Sequence, residues 1–357
     1  MLVDSGFAMR GGQLQVKRLA SGLVSLGYRV FLLAPEGSWL ARRSPPGASL
    51  VPWSSRSDLD LRAALSLAIA AKRRGVPLVH AHDARSHAAA RWAQLLGWRG
   101  TLVVTRRSCR TPRGGLKYRR GVARYIAISR AVEQSLRRAG VPRDRIDLVP
   151  SGVRSNLPRA GAAARKILRT LAGATQAELT IVAAGALTAE KRFDVLTEAA
   201  AIAGRWGLKA RWIVFGDGPL RPDLEERARA AGAPVRFAGF FESAPSLLQA
   251  ADLMVHPSES EGLGTAVLEA MAAGVPVVAS RTGELQRLVP RAGGLTVAPG
   301  RPAELAEAVI ALLSDSNRLS RARRDGPRVA RRFSVERMVR GTVRTYKKAL
   351  EMAKERA

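Results

Sequence analysis

Two glutamates eight positions apart, Glu261 and Glu269, have the types and spacing to do chemistry together. Glu261 lies in a loop of Ser, Glu and Gly, whereas Glu269 lies in a run of strong helix formers, Thr265–Ala273. Because Glu269 is about one turn past the start of that helix, it faces the same end of the element as the loop. We therefore expect the two carboxylates to border one site and to accept hydrogen bonds from ligand hydroxyls.

The loop before this helix is suited to binding an anion. Gly262 and Gly264, on either side of Leu263, allow a backbone that bends and approaches a ligand closely. From Thr265 onward, the first backbone N–H groups of the helix lack intrahelical partners and attract negative charge. A nucleotide sugar needs both features, for its diphosphate and for its hydroxyls. A lone glutamate is usually a solvated charge, but Glu269 has apolar neighbours that make an idle charge costly.

The stretch EGLGTAVLEAMAAGVPVVAS, which holds both glutamates, closely resembles the signature of retaining glycosyltransferases of family 4, which have the GT-B fold. The resemblance implies an α/β chain of two doubly wound, Rossmann-like domains facing across a cleft. It implies that Glu261 binds hydroxyls of the transferred sugar, that Glu269 binds the ribose, and that Gly262, Leu263, Gly264 and Thr265 line the donor site. No metal ion or cofactor is expected, because similar enzymes need none.

Two further glycine positions match the family. Gly11 and Gly12 follow a short first strand and are expected to form a loop that approaches the donor. Gly216 opens a GDGP turn like that of the family, and we expect it to belong to the donor site.

The turn that holds Lys191 matches the family only in part. The family places an arginine and a lysine there, both on the donor diphosphate, and Lys191 matches the lysine. The arginine position is occupied by Ala186. Loss of that charge-assisted hydrogen bond is expected to weaken phosphate binding by about 1.5–3 kcal/mol, unless Arg192 or another arginine substitutes.

Three of the four histidines, His80, His82 and His87, lie at or beyond the end of a predicted strand, LVHAH. In an open parallel sheet, ligands bind beyond the carboxyl ends of strands. The resemblance implies that His82 points at the transferred sugar, near the reacting centre. His80 is expected to point the other way and to be structural. A zinc site formed with Asp83 is the alternative, although no cysteine supports it.

Strands and helices alternate in both halves of the chain, which predicts two doubly wound domains. Residues 1–152 are expected to form the acceptor-side domain and residues 179–330 the donor domain. Residues 153–178, rich in Ala and Arg, are expected to be an irregular linker. Residues 331–357 are expected to hold a basic helix that, by resemblance, crosses back to the first domain.

The chain of 357 residues is 46% hydrophobic and carries a formal net charge of +30. Its densest basic stretch, Arg106–Arg124, holds no acid and would attract an anionic membrane, lipopolysaccharide phosphates or nucleic acid. The chain has 50 Arg and 9 Lys, and a GC-rich genome produces the same preference for Arg without any selection for binding. With one cysteine, Cys109, and neither a signal peptide nor an apolar run long enough to span a membrane, we expect a cytoplasmic protein, peripheral at the membrane's inner face.

Three functions stay open on the sequence. The first is a glycosyltransferase acting on a glycan or glycolipid of the lipopolysaccharide or cell-envelope type. The second is a GT-B-shaped nucleotide-sugar epimerase, which would need more acids and histidines. The third is a catalytically weak scaffold that binds a membrane surface or nucleic acid, which Ala186, Ser151 and Gln286 favour because the family carries Arg, Asn and an acid there. A nicotinamide dehydrogenase lacks its G-x-G-x-x-G loop.

Overall fold

The computed structural model describes residues 1–112, 117–118, 120–154, 161–241 and 247–355. The chain divides into two compact units. The first unit comprises residues 1–152 and 335–357, and the second unit comprises residues 153–334. Each unit is built on one parallel sheet with helices between its strands, so the prediction of two Rossmann-like α/β units is confirmed.

Every strand in both sheets is parallel to its neighbours, and in each sheet the strand order reverses beside the first strand. The first unit has β1 (Leu2–Val3), β2 (Val30–Ala34), β3 (Ala48–Pro52), β4 (Leu78–Ala81), β5 (Thr101–Arg106), β6 (Arg124–Ala127) and β7 (Ile146–Leu148), in the order β3-β2-β1-β4-β5-β6-β7. The second unit has β8 (Leu179–Ala184), β9 (Ala210–Phe215), β10 (Val235–Gly239), β11 (Leu253–His256), β12 (Val277–Ser280) and β13 (Leu295–Val297), in the order β10-β9-β8-β11-β12-β13. Ligands of such sheets bind at the reversal point, beyond the carboxyl ends of the strands.

The helices among the described residues alternate with these strands. They are α1 (Gly11–Ser25), α2 (Trp39–Arg42), α3 (Leu61–Arg73), α4 (Ala84–Leu95), α5 (Arg130–Arg138), α6 (Ala162–Ala172), α7 (Phe193–Arg205), α8 (Arg221–Ala230), α9 (Thr265–Ala272), α10 (Leu285–Arg291), α11 (Pro302–Ser314), α12 (Ser316–Ala330) and α13 (Val335–Lys354). In the part of the chain that the structure describes, none of them has the length and apolarity of a membrane-spanning helix.

The segment predicted as a linker is partly helical. Residues 162–172 form α6, which buries Leu168 and Ala172 and packs on β8, β9 and β10. The run of Ala, Arg and Leu has the helix propensity to form this element, so the prediction of an irregular segment there was wrong. Pro158 lies outside the described residues.

The C-terminal helix α13 is part of the first unit, where it packs on α1 and β5. Asp147 at the edge strand β7 accepts hydrogen bonds from Arg124 at 2.6 and 3.0 Å and from Lys348 of α13 at 3.0 Å. The division between the units falls between Ser334 and Val335 rather than at residue 331, because residues 331–333 form a short 3-10 turn that continues from α12.

The contact between α9 and α12 depends on Gly326. A Cβ atom at this position would lie 2.8 Å from the carbonyl oxygen of Met271, near the end of α9. Because a backbone oxygen cannot move aside as a flexible side chain can, Gly326 allows α12 to approach α9 closely.

We expect Gly326→Ala to destabilise the second unit by about 1–3 kcal/mol, the usual range for overpacking a core contact. The matched control is Gly204→Ala in α7, where a Cβ atom has no heavy atom within 4 Å. That change should stabilise the unit by about 0.5–1 kcal/mol through helix propensity. The two urea midpoints should therefore move in opposite directions, and a Gly326→Ala midpoint at or above that of the wild type would contradict the close contact.

Candidate functional site

The segment that holds the two glutamates folds as predicted, into strand β11, a loop, helix α9 and strand β12. Gly264 is the N-cap of α9 with φ 75°, in the left-handed region that favours glycine, and a Cβ there would lie 2.6 Å from Leu285. Leu263 is buried and anchors the loop. No side chain caps α9. Its first amides, from Thr265 onward, therefore keep their capacity to bind an anion.

Glu261 lies at the centre of a partly buried polar cluster. Its Oε2 accepts a hydrogen bond from Lys191 Nζ at 2.6 Å and lies 2.9 Å from His256 Nε2, while its Oε1 accepts the backbone N–H of Gly262 at 3.1 Å. Burial alone would raise the pKa of Glu261, but the His256 hydrogen bond and the Lys191 charge outweigh it and hold the pKa well below its usual range. Glu261 is therefore an ionised carboxylate at neutral pH.

A backbone hydrogen bond brings Lys191 and Glu261 together. Lys191 ends a short 3-10 turn, Ala189–Lys191, that follows strand β8, and Glu261 follows strand β11, the neighbour of β8 in the sheet. The N–H of Glu259 donates to the carbonyl of Glu190 at 2.9 Å and joins the two loops. The sequence predicted both residues for one site, and the structure places both side chains in one cluster.

His256 and Ser258 belong to this cluster and were missed by the sequence analysis. His256 is the last residue of β11 and is buried, with Ser258 Oγ 3.0 Å from its Nε2. Because an ionised carboxylate only accepts hydrogen bonds, the hydrogen of His256 lies on Nε2. The available signal was a histidine at the carboxyl end of a buried strand, five residues before Glu261.

Glu269 is buried on α9, one turn past the helix start, as its apolar neighbours suggested. Gly216 has φ 145°, and a Cβ on it would lie 1.8 Å from the carbonyl oxygen of Gly185, so its turn packs directly against the segment that follows β8. This contact requires glycine at Gly216 and holds the loop that leads to Lys191.

Arg192 does not replace the arginine that is missing at Ala186. It caps α7 with φ 51°, and its guanidinium donates to Asp194 at 2.9 Å and lies 3.8 Å from Glu259. The guanidinium is thus engaged by two carboxylates of its own unit. Lys191 lies within hydrogen-bonding distance of Glu261, and the side chain of Ala186 carries no charge.

The predicted glycine loop of the first unit is instead the beginning of a helix. Gly11 and Gly12 are the first two residues of α1, whose N-cap, Arg10, makes no side-chain cap hydrogen bond. The loop prediction was wrong because glycine is tolerated in the first turn of a helix, so two adjacent glycines do not by themselves indicate a loop. Their predicted role in donor binding stays a prediction.

His80 and His82 lie on the same side of the sheet, with ring centroids 3.9 Å apart. The expectation that they point in opposite directions was wrong, because residues two apart in a strand share a face. His80 is held at both nitrogens, with Tyr346 Oη 2.6 Å from Nδ1 and Thr105 Oγ1 2.7 Å from Nε2. This arrangement is consistent with the structural role expected for His80.

His82 is buried and has one nitrogen without a partner among the described residues. Arg107 donates to the carbonyl oxygen of His82 at 2.8 Å and lies 3.3 Å from its Nδ1. Because arginine only donates, Nδ1 accepts and the ring hydrogen lies on Nε2, which is buried and unpaired. Burial lowers the pKa of His82 well below its ordinary value, with His80 and Arg107 acting in the same direction. His82 is therefore neutral, with an Nε2–H group ready to donate.

No group of three or more potential metal-ligating side chains is found in the described ranges. The zinc alternative at His80, His82 and Asp83 gains no support from the geometry either. His80 already contacts two hydroxyl groups, and the Asp83 carboxylate caps α4.

The basic stretch Arg106–Arg124 is not a continuous exposed surface. Arg124 is buried against Asp147, and Arg107 lies against His82. Lys117 pairs with Asp58. Residues 113–116 and 119 lie outside the described residues. The described basic side chains of the stretch are largely engaged within the first unit, and its docking on an anionic surface stays a prediction.

Two family models match the chain. Glycosyltransferase Family 4 matches residues 9–157, and Glycosyl transferases group 1 matches residues 178–315. Together they match most of both units.

Curated relatives share about a third of their aligned residues with this chain. The GDP-mannose-dependent alpha-(1-6)-phosphatidylinositol dimannoside mannosyltransferase of Mycobacterium tuberculosis is 36% identical over 148 residues, which are 41% of this chain and 38% of that protein. The alpha-D-kanosaminyltransferase of Streptomyces kanamyceticus is 32% identical over 224 residues, which are 61% of this chain and 58% of that protein. The chain therefore spans less than two thirds of the length of these relatives.

The crystal structure of Anabaena HepE in complex with UDP-glucose resembles this chain in fold. The TM-score is 0.85 at 20% sequence identity, over 97% of this chain and 98% of that chain. At this identity the likeness establishes the fold, which is GT-B.

Removal of the Lys191 charge should expose the cost of burying Glu261. We expect Lys191→Met to destabilise the second unit by about 2–4 kcal/mol at pH 7, because an ionised, partly buried carboxylate loses its bond to a cation. In the wild type, the depressed pKa of Glu261 stabilises the fold above the ordinary glutamate pKa, and this contribution is lost as the pH falls. The difference between variant and wild type should therefore shrink from pH 7 to about pH 4.

Urea unfolding at both pH values measures this effect. The double variant Lys191→Met/Glu261→Gln should recover much of the loss, because a neutral amide can still accept from His256. Lys209→Met, at an exposed lysine of the same unit, is the matched control and should change little. A penalty for Lys191→Met that is equal at the two pH values would show that the Glu261 charge is not its cause.

The hydrogen of His82 can be located by nuclear magnetic resonance of the imidazole nitrogens. We expect a single Nε2–H tautomer that does not titrate between about pH 5.5 and pH 8, because the Arg107 donor occupies Nδ1 and burial disfavours the cation. Arg107→Met should abolish the single tautomer, whereas Arg106→Met should not, since Arg106 contacts Tyr118 instead. The imidazole signals of His82 are identified as those that disappear in His82→Gln. An Nδ1–H signal from His82 in the wild type would refute the assignment.

Proposed function

This chain belongs to glycosyltransferase family 4, and we propose that it transfers a sugar from a nucleoside diphosphate sugar to a hydroxyl of a glycan or glycolipid, with retention of the anomeric configuration. The observation that supports the proposal best is the cluster of Lys191, Glu261 and His256 beside the start of α9, which no side chain caps. The cluster lies beyond the carboxyl ends of β8 and β11, where a parallel sheet binds its ligand.

The donor diphosphate would bind at Lys191 and the first amides of α9, at Gly264 and Thr265. Negative charge grows on the diphosphate as its bond to the sugar breaks, and preorganised N–H groups and a fixed ammonium stabilise that charge. An ammonium group has three hydrogens, so Lys191 can keep its bond to Glu261 and donate to a phosphate at the same time. These groups would do their work without a metal ion, as proposed from the family.

Glu261 would bind hydroxyls of the transferred sugar. Being ionised and held from two sides, it presents fixed lone pairs without having to reorganise. Glu269, a buried carboxylate on α9, would accept from the ribose hydroxyls. His82 would donate its Nε2–H to a substrate oxygen, a role that fits its neutral form and its unpaired nitrogen.

The acceptor class rests on the relatives. One of them is named for a phosphatidylinositol dimannoside, a glycolipid, and another for transfer of kanosamine. The first name gives a glycolipid acceptor and the second gives only the transferred sugar, so our proposal of a glycan or glycolipid hydroxyl as the position that receives the sugar rests on the first relative. A lipopolysaccharide or other cell-envelope acceptor is the specific form of this proposal.

A second candidate is a catalytically weak scaffold that binds anions at its basic surface. The position of Ala186 favours it, because the missing arginine is not replaced by Arg192, which is bound to Asp194 and lies near Glu259. This candidate differs from the first in one measurable property. It predicts salt-dependent binding to a membrane or to nucleic acid without binding of a nucleotide sugar.

Thermal unfolding with a panel of nucleoside diphosphates and nucleotide sugars is the experiment that tests the donor site. A ligand at about 100 times its dissociation constant should stabilise the wild type by about 2.7 kcal/mol. Glu269→Ala should lose most of that stabilisation because the ribose loses its acceptor, and Lys191→Met should lose it because the diphosphate loses its cation. Glu307→Ala, at an exposed glutamate on α11, is the matched control and should respond as the wild type does.

The ligand that stabilises the protein then serves as donor in a transfer reaction. Comparison of the anomeric proton couplings of donor and product should show the same configuration, and inversion would overturn the proposed stereochemistry. Absence of a shift with every nucleotide would remove the donor-site assignment and favour the anion-binding scaffold.

A further inference from the structure

Helix α3 exposes an apolar stripe on its outer face. Leu61, Leu65 and Ile69 retain 52%, 50% and 43% of their surface exposed, and Leu59, just before the helix, retains 73%. These three helix residues are spaced by four, so they form one row along the helix. The opposite face is buried, and it consists of Ala63, Ala64, Leu67, Ala68, Ala70 and Ala71. The exposed side chains of this row therefore lie outside the packed core of the first unit.

The row is bordered by basic side chains and by no acid of its own helix. Arg62 lies beside it at the first turn, and Lys72 and Arg73 end it at the last turn, all three exposed. The two acids before the helix are engaged, since Asp60 caps α3 and Asp58 pairs with Lys117. The exposed face of α3 thus combines large aliphatic side chains with positive charge.

A second exposed apolar site lies on the neighbouring helix. Helix α4 packs along α3, and Leu95 and Leu96 at its C-terminal end retain 69% and 48% of their surface exposed. A soluble surface seldom gathers this many large apolar side chains on one pair of helices without a partner. We infer that the outer face of α3 docks on an anionic lipid bilayer, with Leu61, Leu65 and Ile69 entering the headgroup region and Arg62, Lys72 and Arg73 on lipid phosphates.

The combination of charges and apolar side chains selects this occupant over the others. A second copy of the chain on the same face would bring two basic rims together, in a protein whose formal net charge is already +30. Nucleic acid would use the basic residues but would leave the apolar row in water. An anionic bilayer satisfies both, because an amphipathic helix lying in the interface buries its apolar face and pairs its basic residues with phosphates.

The inference concerns a helix of the first unit, whereas the Lys191 and Glu261 cluster belongs to the second unit, and it does not depend on the proposed transfer reaction. It also differs from the docking predicted for Arg106–Arg124, whose described basic residues are largely engaged inside the first unit. The two proposals can fail separately, since vesicle binding requires no nucleotide.

Flotation of the full chain with vesicles tests the inference. The vesicles are phosphatidylcholine alone or phosphatidylcholine mixed with phosphatidylglycerol. The wild type should bind the mixed vesicles, and Leu65→Ser/Ile69→Ser should bind them at least about tenfold more weakly because two apolar anchors are lost. Lys72→Gln/Arg73→Gln should lose affinity for the mixed vesicles specifically, and raised salt should reproduce its effect.

Ile167→Ser is the matched control, because Ile167 on α6 is equally exposed at 49% and lies on the second unit. It should bind vesicles as the wild type does, and all variants should keep the wild-type melting temperature. Wild-type binding by Leu65→Ser/Ile69→Ser, or no binding by the wild type, would overturn the inference. A wild-type dimer that Leu65→Ser/Ile69→Ser converts to monomer, with vesicle binding unchanged, would assign the face to a second copy instead.

Discussion

The partly buried carboxylate of Glu261 is the constraint on which the candidate site depends. Removal of a carboxylate from water is costly unless partners compensate it, and here Lys191, on the loop after β8, and His256, at the end of β11, do so. Each partner must therefore be held in place by its own strand, β8 or β11. The hydrogen bond between the backbones of Glu259 and Glu190 and the tight packing of Gly216 against Gly185 follow from that requirement. The sheet positions the charges, and the charges hold the loops together.

Lys191 is thereby prepared for an anion without being an isolated charge. An ammonium group that donates one hydrogen to a carboxylate keeps two further hydrogens to donate. Under the proposed assignment, the absence of a charge at Ala186 would leave more of the phosphate binding to Lys191 and the first amides of α9. The diphosphate would then have fewer charge-assisted bonds than the family pattern provides.

Much of this arrangement could be predicted from the sequence, because a few residues carry strong local signals. The glycines, the helix formers and the apolar strands around Glu261 placed the loop, α9 and β12 correctly, and the family resemblance supplied Lys191. The failures have physical causes. His256 was read as the end of an apolar strand, since its partner lies five residues on. Helix α6 was missed because the Ala and Arg content of residues 153–178, together with Pro158, was interpreted as an irregular linker, although the same residues favour a helix. The Gly11-Gly12 pair was taken for a loop, although a helix start tolerates glycine equally well.

The two strand-end histidines, His256 and His82, differ in the hydrogen-bond partners of their Nε2 atoms. In His256 the hydrogen on Nε2 is directed to an ionised acceptor, Glu261, so the group is satisfied and structural. In His82 the Arg107 donor occupies Nδ1, which places the hydrogen on Nε2 with no acceptor among the described residues. A buried donor without an acceptor is costly and calls for an explanation, and a ligand that completes it is one. Several other buried side-chain atoms also lack a partner among the described residues, including Nε2 of His87, so the unpaired nitrogen fits the role proposed for His82 without singling the residue out.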